Sequence, residues 1–115
     1  MHLLPSLRQK KRYILFEIIP QRNFERSEEI SFSEVKKAVE EALLSFLGEL
    51  GTAKAGTLLL GERYKSNHFI LKVNHNFVDE AKAALILIKN IKNIPIIIRS
   101  KQVSGTLKKL ESKTY

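Results

Sequence analysis

The hydrophobic residues change their spacing along the chain, and these changes predict where strands and helices lie. From Arg12 to Pro20 apolar side chains occupy both alternating faces, as expected of a strand in the middle of a sheet. From Val35 to Leu50 they recur at three- and four-residue steps, which predicts a long amphipathic helix. The segment Ser31 to Glu34 fits a capping box at its start, and Gly48 and Gly51 are candidate stops.

The rest of the chain continues this order of strands and helices. Short apolar runs at Thr57–Leu60 and His68–Asn74 predict the two strands of a hairpin. Asn76 then stands where it could cap a second helix. The β-branched run Ile94–Ile98 predicts a buried strand, because such side chains pack well on a pleated surface. Ser104 stands where a short basic helix would begin.

This order predicts an α/β fold made of two split β-α-β units. Together they form a four-stranded antiparallel sheet with two helices on one face, which is the ferredoxin-like or RRM-like βαββαβ plait. A short C-terminal helix follows it here. A length of 115 residues is that of a single domain. We predict a basic N-terminal arm over residues 1–11, one RRM-like domain over residues 12–111 and a tail over residues 112–115.

The formal net charge of +8 comes entirely from the two ends of the chain. Residues 1–12 carry four basic side chains and no acidic one, and residues 99–115 carry five basic side chains and one acidic one. Residues 13–98 are balanced, with eleven of each sign. Two basic ends indicate a polyanion site if the fold brings them together, and otherwise they are solvated tails.

The sequence contains few residues in patterns suited to catalysis or metal binding. There is no cysteine, and His2, His68 and His75 are scattered without the paired spacing of metal sites. Since a Gly-rich phosphate loop is also missing, we expect no catalytic residue, no bound metal and no cofactor in the protein itself. No apolar run approaches the roughly 20 residues of a spanning helix, and residues 1–12 lack the apolar core of a signal peptide. We expect a cytoplasmic protein.

The predicted sheet lacks the aromatic residues on which RNA-recognition domains stack bases. The third-strand pattern of these domains is matched between Lys65 and Lys72 only by Lys65, Phe69 and Ile70. Tyr13 could stack one base, but a structural role is the simpler interpretation. Sequence-specific reading of single-stranded RNA on this sheet is therefore disfavoured.

One face of the predicted sheet is left without a helix. Leu15 and Ile70 fall on that face, and we predict that they form an exposed apolar patch. Because such patches on monomers mark interaction sites, we interpret the patch as an interface for a protein partner.

Four blocks of the sequence, in the right order, resemble the Pop five family of small archaeal and eukaryotic ribonuclease P proteins. The blocks are Leu4 to Ile14, Leu47 to Gly51, Val78 to Leu85, and the signature Arg99-x-x-x-Val-Ser-Gly-Thr-Leu-Lys. The chain departs from the family at Thr57–Leu60, where members often carry a bulky aromatic residue.

The resemblance implies a non-catalytic subunit of ribonuclease P, the ribonucleoprotein whose RNA cleaves precursor tRNA to free the mature 5′ end. It implies a TIM-barrel protein subunit and other ribonuclease P proteins as partners, and magnesium as an ion needed by the RNA. The RNA-contact candidates are the basic residues of the matching terminal blocks together with the predicted helix start: Arg8, Lys10, Lys11, Arg12, Arg99, Lys101, Ser104, Gly105, Lys108 and Lys109.

Three other functions are compatible with parts of the pattern. Another small basic RNA-binding protein of ribosomal type with a ferredoxin-like fold would have the same basic ends. A plait enzyme of the acylphosphatase kind needs a glycine-rich loop after the first strand, and Gln21 to Phe24 contains no glycine. A small-molecule-sensing plait would not need charged terminal segments.

Overall fold

The described part of the chain forms five strands and three α-helices. A computed structural model describes residues 10–21 and 30–111. The strands are β1 (Lys11–Pro20), β2 (Leu58–Leu59), β3 (His68–Asn74), β4 (Asn90–Ile91) and β5 (Ile94–Ser104). The helices are α1 (Phe32–Ala55), α2 (Val78–Ile86) and α3 (Leu107–Glu111).

The strands form one antiparallel sheet in the order β2-β3-β1-β5-β4. The central position predicted for β1 and the β2–β3 hairpin are confirmed. The predicted number of four strands is wrong, because β4 pairs with the start of β5. Lys92 and Asn93 both have positive φ angles (53° and 65°), as a two-residue hairpin turn requires, and they fold the chain back at this point.

The start of α1 confirms the predicted capping box. The Ser31 hydroxyl accepts a hydrogen bond from the backbone N–H of Glu34 at 3.4 Å and donates one to the Glu34 carboxylate at 3.0 Å. The predicted stop at Gly48 is confirmed as a break, since Gly48 leaves helical geometry (φ 75°, ψ 173°) and divides α1 into two helical segments across a kink. The predicted stop at Gly51 is wrong, because the second segment continues past it to Ala55. The end comes at Gly56, whose left-handed conformation (φ 59°, ψ 43°) favours glycine.

The starts of the two other helices differ from their predictions. Asn76 does not cap α2: it lies within a 3₁₀ turn, His75–Phe77, and the capping position is taken by Phe77 without a side-chain hydrogen bond. Ser104 is the last residue of β5, yet its hydroxyl accepts the backbone N–H of Thr106 at 3.1 Å. Its role at the turn is thus close to the one predicted, but α3 begins three residues later.

The main core lies between one face of the sheet and helices α1 and α2. Phe16 on β1 and Phe69 on β3 are paired in register and stack with their ring centroids 5.1 Å apart. Val39 of α1 and Leu85 of α2 belong to the same buried cluster. We call this side of the sheet the inner face and the opposite side the outer face.

The outer face is covered in its middle by α3. Leu110 is fully buried against Leu15 and Ile70, which expose 2% and 0% of their surface, and Tyr13 packs at the margin of the cluster. The prediction that Leu15 and Ile70 form an exposed patch is therefore wrong. The physical reason is that α3 folds back over them, so neither side chain is accessible while the helix is in place.

Burial of Ile70 leads to a test of this arrangement. Ile70→Glu places a carboxylate in the apolar cluster under α3 and should lower the free energy of unfolding by roughly 3–5 kcal/mol. Ile97→Glu is the matched control, because Ile97 lies on the same face and exposes 51% of its surface. The control should change stability by less than about 0.5 kcal/mol. Urea denaturation followed by circular dichroism gives both values, and equal effects of the two substitutions would contradict the placement of α3.

Candidate nucleic-acid interface

The pairing of β1 with β5 brings the two basic ends of the chain together. Because the strands are antiparallel, Tyr13 near the start of β1 lies opposite Ser104 at the end of β5. A Cβ atom placed on Gly105 would be 3.7 Å from Nη1 of Arg12. The charge pattern indicated a polyanion site only if the fold brings the two basic ends together, and the fold does so for part of the RNA-contact candidates. We define the basic corner by the residues at this junction: Lys10, Lys11, Arg12, Gly105, Lys108 and Lys109.

Ser104 and Gly105 differ in their access to solvent. Ser104 is buried, and its hydroxyl is engaged by the backbone N–H of Thr106. Gly105 is exposed, and a side chain there would make only ordinary contact with Arg12. Ser104 therefore shapes the turn from within, whereas Gly105 lies on the surface of the basic corner.

Lys11 is held by a side chain of the neighbouring strand. Its ammonium donates a hydrogen bond to Oδ1 of Asn74, the residue directly opposite in the β1–β3 register. The amide nitrogen of Asn74 donates in turn to the carbonyl oxygen of Lys54 at 2.7 Å, in the last turn of α1. One buried amide thus connects β1, β3 and the end of α1.

Two lysines outside the candidate set also lie near the corner. Lys72 of β3 pairs with Tyr13, and strand alternation places it on the outer face beside Ile70. That alternation was visible in the sequence, so Lys72 could have been included. Lys54 is joined to Lys11 only through Asn74, and the sequence has no local signal for such a contact. Asp79 and Glu80, in the first turn of α2, are the acidic residues that follow β3 most closely.

Arg99 and Lys101 lie away from the basic corner, on the other part of the outer face. Arg99 is five residues before Ser104 on β5, a distance of roughly 15 Å along a strand. Its Nη2 donates to Glu17 Oε1 at 2.7 Å. Lys101 lies at a bulge in β5 and its Nζ is 3.4 Å from Nε2 of His68. The structure thus divides the basic residues of β5 and α3 into two groups.

Glu17 is ionised in this arrangement and neutralises Arg99. Partial burial raises the pKa of the Glu17 carboxyl. The hydrogen bond from Arg99 and the charges of Lys101, His68 and Arg99 together lower this pKa by more than burial raises it. The net effect holds the pKa of Glu17 below its ordinary value. An anion approaching Arg99 has to compete with this carboxylate, whereas the acceptor that holds Lys11 in the basic corner is the neutral amide of Asn74.

Within residues 10–21 and 30–111, no group of three or more histidine or acidic side chains is placed to hold a metal ion. In the same ranges, no helix is both long enough and apolar enough to cross a membrane. Arg8, part of the predicted arm, lies outside the described residues.

Comparisons with known proteins agree over nearly the whole chain. The model of the Rpp14/Pop5 family matches residues 12–115. Ribonuclease P protein component 2 of Thermococcus gammatolerans is 42% identical over 112 residues, covering 97% of this chain and 88% of the relative. The protein of the same name from Thermococcus kodakarensis is 40% identical with the same coverage. The one from Methanocaldococcus jannaschii is 39% identical and is covered over 77% of its length.

Among solved structures, a chain in the cryo-EM structure of yeast ribonuclease MRP has a similar fold. The TM-score is 0.66 at 15% sequence identity, with 91% of each chain covered. At this identity the likeness extends to the fold alone. The family match and the archaeal relatives, which span almost every described element, establish that this chain belongs to the Rpp14/Pop5 family.

Proposed function

We propose that this chain is a non-catalytic protein subunit of ribonuclease P that binds and stabilises the RNA which cleaves precursor tRNA. The observation that carries the proposal is the basic corner, which the β1–β5 pairing builds from both ends of the chain. The relatives named ribonuclease P protein component 2 supply the identity of the RNA. Magnesium then belongs to the RNA rather than to the protein, and the cytoplasm is the compartment we expect.

The corner is suited to RNA phosphates rather than to bases. Lysine and arginine bind phosphate by charge, and each contact releases counterions without reading sequence. The covered outer face supports this interpretation. RNA-recognition domains stack bases on the two central strands, but here Leu15 and Ile70 lie under α3. The fold we infer is a ferredoxin-like plait whose last strand, β5, carries the short β4 as an addition at the edge.

A protein partner needs a different surface from the one predicted, because Leu15 and Ile70 are buried. Five large apolar side chains of α1 and α2 are exposed: Leu44, Phe46, Leu50, Ile86 and Leu87. Phe46 and Leu87 line a groove of about 540 Å³ between the two helices. We call this groove, with Phe46 and Leu87 in its lining, the apolar groove and propose that the TIM-barrel subunit of ribonuclease P binds there.

The position of Phe46 along α1 supports the assignment of the partner to the apolar groove. The buried stripe of α1 runs through Val35, Val39 and Leu43, and Phe46 follows it at helical spacing just before the break at Gly48. Phe46 is exposed, so the stripe extends beyond the core that it packs against. An apolar surface of this kind on a subunit of an assembly is an expected protein interface.

The RNA-binding proposal predicts a change in salt dependence. Arg12→Ala combined with Lys108→Ala should lower the slope of log affinity against log salt by about one to two units, since each lost phosphate contact removes close to one. The thermal midpoint should change little, because exposed cations contribute little to stability. The measurement is a salt titration of binding to ribonuclease P RNA in the presence of the TIM-barrel subunit.

Two matched double variants complete that experiment. Lys36→Ala with Lys37→Ala removes the same charge from exposed positions near the start of α1 and should leave the slope unchanged. Arg99→Ala with Lys101→Ala tests the remaining candidates and should have a smaller effect than the corner pair, because Glu17 already neutralises Arg99. A slope that falls equally for all three variants would show a response to net charge alone and would contradict the proposal.

The partner proposal predicts a loss of protein binding with the fold intact. Phe46→Glu and Leu87→Glu should each weaken binding to the TIM-barrel subunit at least about tenfold, because a charge would be buried in an apolar contact. Leu58→Glu is the control, since Leu58 is equally exposed on the edge strand β2. Calorimetry gives the affinities, and the same affinity for all three variants would place the partner elsewhere.

A further inference from the structure

We infer that Asn74 is a positioning residue for RNA binding, which holds the Lys11 ammonium in the basic corner without cancelling its charge. The inference rests on the proposed function of the corner and extends it to a buried residue that touches no RNA. Three features support it: the fixed orientation of the amide, the place of Lys11 in the sheet, and the neutral chemistry of the acceptor.

The orientation of the Asn74 amide is determined by its surroundings. The residue exposes 6% of its surface, and its side chain lies against Gly56, where an added Cβ would be 3.0 Å from Nδ2. The carbonyl of Lys54 can only accept, so the amide group facing it at 2.7 Å must be the NH₂. Oδ1 is thereby directed away from α1 and towards Lys11.

Lys11 is held at the point where the basic corner begins. It is the first residue of β1 and lies directly opposite Asn74, so the register of the sheet fixes the distance between their Cα atoms. A lysine side chain is flexible, and it loses freedom when it binds a phosphate. The bond to Oδ1 restricts the ammonium beforehand and uses one of its three N–H donors, so the other two remain for an anion.

The chemistry of the acceptor distinguishes asparagine from the alternatives. An aspartate at position 74 would bind the ammonium more strongly but would neutralise it, as Glu17 neutralises Arg99. A leucine would fill the space and leave the ammonium unrestrained. An amide restrains the cation and keeps its full charge available to phosphate.

The test is a double-mutant cycle between Lys11→Met and Asn74→Leu. The measurement is affinity for ribonuclease P RNA over a range of salt, with stability followed separately by urea denaturation. Lys11→Met should weaken binding roughly fivefold and lower the salt slope by about one unit. Asn74→Leu should weaken binding in the Lys11 background by a similar factor and should have no further effect when residue 11 is Met. A purely structural role would instead give losses that multiply in the double variant, or an Asn74→Leu protein that binds as the wild type does.

A second variant keeps the inference testable if Asn74→Leu does not fold. Asn74→Asp retains the acceptor for Lys11 and should lower the salt slope by about one unit through neutralisation. Asn90→Asp, on the far edge strand β4, adds the same charge and should not change the slope. Equal slopes for the two variants would overturn the inference.

The outcome also separates this inference from the proposed function. If Lys11→Met and the Arg12 and Lys108 variants all bind RNA as the wild type does, the basic corner is not the RNA site and both fail. If those variants weaken binding while Asn74 is uncoupled from Lys11, only the positioning role fails.

Discussion

The antiparallel pairing of β1 with β5 is the interaction on which the rest of the structure depends. It places β1 between β3 and β5, so the side chains of β1 contribute to both faces of the sheet. It also joins residues almost a full chain length apart, with Tyr13 opposite Ser104. Contacts of this separation have a high cost in loop closure, which the large apolar area of a central strand can offset. The basic corner exists because this pairing is in register.

The short helix α3 determines what the outer face can do. A four-stranded sheet with two helices on one side leaves two central strands open, and RNA-recognition domains use that surface for bases. Here Leu107 and Leu110 fold back over Leu15 and Ile70, so the open surface becomes a second small core. Lys108 and Lys109 are then carried on the solvent side of the cover. The five residues of α3 thus cover the surface on which bases could stack and also place Lys108 and Lys109 beside it.

Predictions from the sequence succeeded where the physical cause was local. The capping box at Ser31 needs only residues within one turn, and the alternation in β1 needs only the pleat of a strand. They failed where the cause was tertiary. After the break at Gly48, helical residues resume and α1 ends only at Gly56, and the contact from Asn74 that accompanies this end comes from another element. The burial of Leu15 and Ile70 depends on a helix that follows them by many residues, and no pattern within either strand could indicate it.

Counting charges along a sequence cannot distinguish cations that are neutralised from cations that are only restrained. Arg99 and Lys11 belong to the same set of basic residues, and each is held by a side chain from an adjacent strand. Glu17 gives Arg99 a carboxylate, so the pair has no net charge, and Lys101 is the remaining basic side chain beside it. Asn74 gives Lys11 an amide, so the position is fixed and the charge remains. Since long-range attraction of a polyanion follows net charge, this difference supports the proposal that RNA binds at the basic corner, although the sequence carries positive residues at both places.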